Sequence, residues 1–309
     1  MTPSIAPAVL APAVQLNGPL LNLSIPEEEQ NTYIWWAVMC AICAANVAFL
    51  FHSRRVSPPR DAHERSMQLA ATVFVLGCAW RGVFPVQWEI RPHGCLFETP
   101  MMLAGGELLD ELVAQAVECA IAYQAAQTTA RALRAADAPG LARVAARCHW
   151  PIVVLARTAC WIGCATDNKA FHVVEESTWA TCFGLLALCA WASFAFEATR
   201  ASVATPKDSS PRDFLATVAL AFSVYFVFMY RVDVPMYVAQ WREDTAARTE
   251  YWSFADGLRE MVKCDQVTRD FAHWREGVPW MTGYFAVVPY ASVLLMRTKL
   301  PPGPVARDA

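Results

Sequence analysis

Four carboxylic acids interrupt one apolar, helix-length segment of this chain, residues 105–123: Glu107, Asp110, Glu111 and Glu118. An ionisable side chain inside a bilayer costs roughly 2.5–3.5 kcal/mol on insertion scales, so such residues usually face a cavity and mark a function. At about 100° per residue, Glu107, Glu111 and Glu118 share one helix face with Gln115 beside them, while Asp110 points away. The segment therefore predicts a stripe of carboxylates in the interior of a membrane protein.

Two arginines in neighbouring apolar segments can compensate this negative charge. Counting about 1.5 Å per residue places Arg157 near the depth of Glu118 and Arg81 near the depth of Glu111. We expect the ion pairs Arg157–Glu118 and Arg81–Glu111. Such pairs could simply hold three helices in register, but they leave a surplus of acids at the same end of the segments, including Glu107, Asp110, Glu175, Glu176 and Asp233.

The composition indicates a membrane protein. The chain of 309 residues is 56% hydrophobic and 17% charged, against about 25% charged in soluble domains. Its apolar residues form blocks near the ~20 residues that cross a bilayer. These blocks are apolar on all sides and short charged loops separate them, which argues against one soluble helical core. We predict an all-α, polytopic protein with seven transmembrane helices at 33–51, 67–88, 105–123, 149–166, 179–196, 214–230 and 280–296.

The basic residues of the short loops predict the orientation of the chain. In the short loops and the tail, one side of the predicted bundle carries 14 Lys and Arg residues and the other side carries 2. Because cytosolic loops of membrane proteins are enriched in basic residues, the first side is predicted to face the cytosol. The long connection 231–279 disagrees, because it places seven basic residues on the other side. We expect a disordered lumenal or exoplasmic N-terminus (1–32), a membrane domain (33–296), a cytosolic tail (297–309) and residence in an endomembrane or the plasma membrane.

The non-cytosolic loops carry further candidate residues. Within the connection 231–279, apolar residues from Tyr251 to Val262 recur at helical spacing and predict an amphipathic helix at the membrane surface. Cys95 and Cys264 are the cysteines in these loops, so they are the candidate disulfide pair, a question that the sequence leaves open. The residues expected to contact a substrate at the mouth of the cavity are Gln115, Trp88, Asp233, Tyr237 and Trp280.

A metal site is a weaker prediction. His172 precedes Glu175 by three residues, so on a continuing helix both side chains share a face, as in carboxylate metal sites. We therefore name these two residues as candidate ligands of a divalent cation. The pairs Cys40-x-x-Cys43 and Cys160-x-x-x-Cys164 have no His at ligand spacing, and we interpret them as packing residues.

Three functions remain open. The first is an integral membrane enzyme in which Glu107, Glu111 and Glu118, paired with Arg81 and Arg157, act on a membrane lipid or other hydrophobic small molecule. The second is a proton- or cation-coupled transporter or channel, for which a file of carboxylates is a natural relay. The third is a receptor-like accessory protein. A net charge of −3 without a basic patch argues against a nucleic-acid partner.

Overall fold

The structure is a computed structural model that describes residues 27–87, 94–97, 100–135, 138–201, 210–247, 250–261, 264, 266–275 and 277–297. The predicted disordered stretch 1–32 falls mostly outside these residues, as does most of the tail 297–309. The described chain is predominantly helical, which confirms the all-α class.

The helices are α1 (Glu27–Val56), α2 (Ala62–Val83), α3 (Pro100–Ala135), α4 (Pro139–Thr166), α5 (Lys169–Ala201), α6 (Ser210–Phe228), α7 (Val234–Ala247), α8 (Phe254–Glu260), α9 (Phe271–Trp274) and α10 (Val278–Arg297), and a π-helical turn (Met229–Asp233) joins α6 to α7. Three two-residue strands, β1 (Val86–Gln87), β2 (Gly94–Cys95) and β3 (Gln266–Val267), form a small sheet.

Among the described residues, five helical stretches are long and apolar enough to cross a membrane: Glu29–Val56, Ala62–Val83, Pro139–Thr166, Lys169–Ala195 and Ala216–Ala247. Large apolar side chains on these helices point outward, as Leu69 and Leu188 do with 66% and 65% of their surface exposed. An apolar outer surface of this kind is typical of a lipid-facing bundle, so the fold is consistent with a membrane protein.

Helix α3 lies in the centre of the bundle. Successive long helices pack side by side from α1 to α6, and α10 packs against α1 and α2. α3 contacts α2 and α4, and it also contacts α5, α6 and α10. Alanines such as Ala122, Ala126 and Ala130 are buried along it, and small residues allow neighbouring helices to approach closely. The acidic helix is therefore surrounded by other helices.

The sheet, α8 and α9 cover one end of the bundle, and we call them the cap. β1 pairs antiparallel with β2, and β2 pairs in parallel with β3. The Leu108 amide of α3 donates to the Met261 carbonyl at 2.8 Å, and buried Trp274 packs against Trp35 of α1 with ring centroids 5.5 Å apart. The predicted amphipathic helix corresponds to α8, which rests on α4 and whose C-cap residue, Met261, accepts the hydrogen bond from α3.

Two predicted loops are helical in the structure. α5 begins at Lys169, ten residues before the predicted segment, so His172 and Glu175 lie within a helix. The helix that contains α6 continues through the π-turn to Ala247, where we expected a loop from residue 231. Pro235 explains the π-turn, because a proline ring clashes with the carbonyl four residues earlier and a wider turn relieves that clash.

Cys95 and Cys264 form a disulfide that joins β2 to the long connection, with their Cα atoms 6.0 Å apart. This resolves the question that the sequence left open. A bond between distant residues restricts the unfolded chain.

We expect Cys264→Ser to lower the free energy of unfolding by about 2–5 kcal/mol, measured by thermal unfolding in detergent. The control Cys40→Ser alters a free thiol of α1, and equal stability of both variants would contradict the prediction.

Gly257 allows α8 to contact α4. A Cβ atom at this position would lie 1.4 Å from the Ala165 carbonyl oxygen, whereas one at Gly283 would meet nothing within 4 Å. We expect Gly257→Ala to force the two backbones apart and to destabilise the protein by about 1–3 kcal/mol or more, as overpacking does. Gly283→Ala, the matched control, should leave the melting temperature nearly unchanged. Similar melting temperatures for both variants would show that α8 does not pack there.

Candidate functional site

The site is organised around Arg157 of α4. Its guanidinium contacts the Glu118 carboxylate of α3 and the Glu175 carboxylate of α5, and it lies 4.9 Å from the ring centroid of Trp179. The predicted pair Arg157–Glu118 is confirmed. The Arg157 and Glu175 side chains are 9% and 6% exposed, while Glu118 is 29% exposed. Glu118 is therefore the most exposed member of this triplet, although its Oε2 atom, which contacts Arg157, is itself enclosed.

A hydrogen-bonded series continues from Glu175 towards the end of α4. His172 Nδ1 lies 3.0 Å from Glu175 Oε2, and His172 Nε2 lies 3.9 Å from Cys164 Sγ. The imidazole also stacks on the Tyr237 ring, with centroids 5.3 Å apart. The candidate ligand His172 and the candidate substrate residue Tyr237 are thus in contact.

Glu111 meets the same cluster from α3. The Cys160 thiol donates to Glu111 Oε1 at 3.1 Å, and the Gln115 side-chain amide donates to the same oxygen. Since Cys160 and Cys164 are one helical turn apart, α3, α4 and α5 share one buried polar array. We call it the Arg157 network: Glu111, Gln115, Glu118, Arg157, Cys160, Cys164, His172 and Glu175.

The tight connection between α4 and α5 brings these residues together. Asp167 caps α4 in the left-handed conformation with φ 52°, and the Asn168 side chain accepts from the Ala170 amide at 3.0 Å in the first turn of α5. The last turn of α4 therefore faces the first turns of α5. Gly163 permits the close approach, because a Cβ atom there would be 3.0 Å from His172 Nε2.

The predicted pair Arg81–Glu111 is wrong. Arg81 instead makes a bidentate contact with Asp110, with Nε–Oδ1 and Nη2–Oδ2 distances of 3.1 and 3.2 Å. Adjacent residues on a helix point about 100° apart. Asp110 faces α2 for this reason, whereas Glu111 faces α4. The carboxylate that we placed off the stripe is thus the partner of Arg81.

Further carboxylates lie near Glu118. Glu176 of α5 is within electrostatic range of Glu118 and of Asp233 in the π-turn, and the Tyr225 hydroxyl of α6 interacts electrostatically with all three. Arg81 is also within electrostatic range of Glu118. Asp233, a predicted substrate residue, is therefore within electrostatic range of Glu176 and Tyr225, which also interact with Glu118. π-Turns are frequent at functional sites because they redirect side chains.

The remaining predicted site residues are Glu107, Trp88 and Trp280. Glu107 is buried in the first part of α3. Trp88 lies outside the described residues, and for Trp280 only the helical backbone is described. Sequence reasoning missed the role of Cys160, Cys164 and Trp179. A signal for the thiols existed, since Cys160-x-x-x-Cys164 meets His172 once the two helices fold back on each other at Asp167.

The chain was compared with protein-family models, curated proteins and solved structures. None of the three comparisons found a match.

The buried ion pairs predict a strong stability effect at Arg157. We expect Arg157→Met to destabilise the protein by about 3–5 kcal/mol, because it leaves the Glu118 and Glu175 carboxylates without their cation. Thermal unfolding in detergent measures this. Arg143→Gln is the matched control, since Arg143 is exposed on the same helix. An Arg157→Met variant as stable as Arg143→Gln would mean that the pairs do not form.

Proposed function

We propose that this chain is an integral membrane enzyme that acts on a lipid or other hydrophobic substrate, with Glu118 at the reacting end of the Arg157 network. The observation that carries the proposal is the difference in exposure along the network. Arg157 and Glu175 are almost fully enclosed, while the side chain of their partner Glu118 is 29% exposed even though its Oε2 atom, which contacts Arg157, is enclosed. A set of charges that served only to hold helices together would not need one carboxylate kept accessible.

The surroundings of Glu118 suit acid–base chemistry. Arg157 stabilises its ionised form, so Glu118 can accept a proton or stabilise a developing positive charge. Glu176 of α5 lies within electrostatic range of Glu118 and would supply a second carboxyl group as the proton donor. Two carboxyl groups in different environments can divide the roles of acid and base.

Proton or cation transport is the alternative function, and the far half of α3 argues against it. About six residues, or 9 Å, beyond Glu118, the fully buried Gln124 side chain donates to the Met67 and Ser292 carbonyls at 3.3 and 3.1 Å. The Ser292 hydroxyl donates back to Gln124 at 2.5 Å. These hydrogen bonds connect α2, α3 and α10 and occupy the polar groups that a relay would need. The enzyme is therefore the better supported function.

The proposal includes a seven-span topology with the cap outside the cytosol. Helices α3 and α10 would join the five apolar helices as spans, since both pack inside the same bundle. Cap contacts involve the start of α1 at Trp35, the start of α3 at Leu108 and the end of α4 at Ala165. These three helix ends lie on one side of the bundle if successive helices cross the membrane in opposite directions. That side is the one whose short loops carry few basic residues, and the Cys95–Cys264 disulfide suits an oxidising compartment.

The experiment is untargeted lipid and metabolite profiling of cells that lack the protein and are complemented with wild type, Glu118→Gln or Glu243→Gln. Glu243 is an exposed residue of α7, so Glu243→Gln is a matched control. We expect one apolar compound to accumulate without the protein and to return to normal with wild type and with Glu243→Gln. Glu118→Gln should fail to restore it, because loss of a general acid–base group lowers turnover about 10²–10⁴-fold.

Two results would contradict the enzyme. One is restoration of the profile by Glu118→Gln at equal expression, which would leave the network a purely structural role. The other is proton flux in liposomes containing the purified protein, monitored with an internal pH-sensitive dye and abolished by Glu118→Gln, which would favour transport.

A further inference from the structure

Three soft ligand atoms converge at the cap end of α4 and α5. The sulfur atoms of Cys160 and Cys164 and a ring nitrogen of His172 all lie within 4.8 Å of one another. The distance between Cys164 Sγ and His172 Nε2 is 3.9 Å. Both cysteines are free thiols in this part of the chain, in contrast to the disulfide-bonded Cys95 and Cys264.

We propose that Cys160, Cys164 and His172 bind a divalent transition metal of the zinc class. Tetrahedral zinc has Zn–S and Zn–N bonds of about 2.3 and 2.0–2.1 Å, which separates its ligand atoms by roughly 3.6–3.8 Å. The observed spacing is close to this value, so small side-chain rotations complete the site. Thiolate and imidazole ligands select zinc, copper or iron over magnesium or calcium, which prefer oxygen ligands.

Glu175 holds the histidine in the orientation that a metal requires. Its carboxylate contacts His172 Nδ1 at 3.0 Å, which leaves Nε2 directed at the thiols. Metal-binding histidines usually donate their second ring N–H to a carboxylate or carbonyl in this way. Glu175 is in turn held by Arg157. The site therefore assigns Glu175 a positioning role beside the metal, where the sequence had named it as a ligand.

Metal binding would also neutralise the negative charge of the Cys160 and Cys164 thiolates. On binding, the two thiols lose their protons, and the two thiolates and one divalent cation together carry no net charge. A neutral group can be buried at the end of a membrane helix far more easily than two isolated thiolates. Three protein ligands leave a fourth tetrahedral position, next to Glu111, for water or a substrate atom, as in catalytic zinc sites.

The site sits where metal can reach it. Cys164 lies two residues before the end of α4 and His172 lies in the first turn of α5, directly under the cap. Both residues are partly exposed, whereas Cys160 is buried. Entry from the cap end therefore does not require passage through the bundle.

The test uses the full chain purified in detergent under anaerobic conditions. The protein is stripped with a chelator, loaded with Zn²⁺ and separated from free metal, and the bound metal is measured by mass spectrometry. We expect one zinc per chain in wild type and in Cys182→Ala, which removes a buried free thiol of α5 outside the cluster. Cys160→Ser, Cys164→Ser and His172→Ala should lose the metal, and Glu175→Gln should bind it about 10–100-fold more weakly.

A second measurement tests the metal site in the wild-type protein, so it does not require the variants to fold. Wild-type protein is treated with iodoacetamide with and without Zn²⁺, and alkylation of each cysteine is measured by peptide mass spectrometry. We expect Zn²⁺ to protect Cys164, the partly exposed thiol of the site, and to leave the labelling of the partly exposed Cys119 unchanged. Thiol protection does not depend on any variant or on enzyme activity.

Three results would overturn the metal site: no bound zinc with equal alkylation in its presence and absence, a Cys160–Cys164 disulfide in the purified protein, or selective labelling of Cys164 alone that Zn²⁺ does not change. The last result would indicate a nucleophilic thiol activated by His172. The inference stands apart from the proposed enzyme, because Glu118→Gln should lose turnover and still bind one zinc per chain.

Discussion

The burial of Arg157 constrains the rest of the structure. A guanidinium cannot be placed between helices without carboxylates that compensate its charge, because the desolvation of an isolated ion costs several kcal/mol. Glu118 and Glu175 supply that charge from α3 and α5, and Trp179 supplies a ring face. These contacts fix the rotation of three helices about their axes. They thereby decide which side of α3 faces α4 and which side faces α2.

The consequences of this rotation reach both parts of the site. Glu111 turns towards the thiol of Cys160, and Asp110 turns towards Arg81. The Glu175 carboxylate, held by Arg157, orients His172 towards Cys164. Glu118 lies within electrostatic range of Glu176 on α5. One arginine thus links a thiol–imidazole cluster under the cap to a group of carboxylates deeper in the bundle.

Much of this arrangement could be predicted from the sequence, and the limits have physical causes. Apolar blocks and helical periodicity predicted the all-α class, and equal depth in the bilayer predicted the contact between Arg157 and Glu118. Depth in the bilayer alone could not show whether Arg81 pairs with Asp110 or with Glu111, since that choice depends on how α3 is rotated about its axis. The Cys160, Cys164 and His172 cluster could not be recognised while residues 169–178 were treated as a loop. Hydropathy marks where a segment becomes apolar, whereas the helix itself begins earlier, at Lys169.

A double-mutant cycle on Arg157 and Glu118 tests the central claim most directly. The free energies of unfolding of wild type, Arg157→Met, Glu118→Gln and the double variant are measured in the same detergent. Residues in direct contact show coupling energies of about 0.5–3 kcal/mol. We predict that the double variant is more stable than the sum of the two single effects by an amount in this range. Strictly additive effects would contradict the account, because they would mean that the two side chains do not interact.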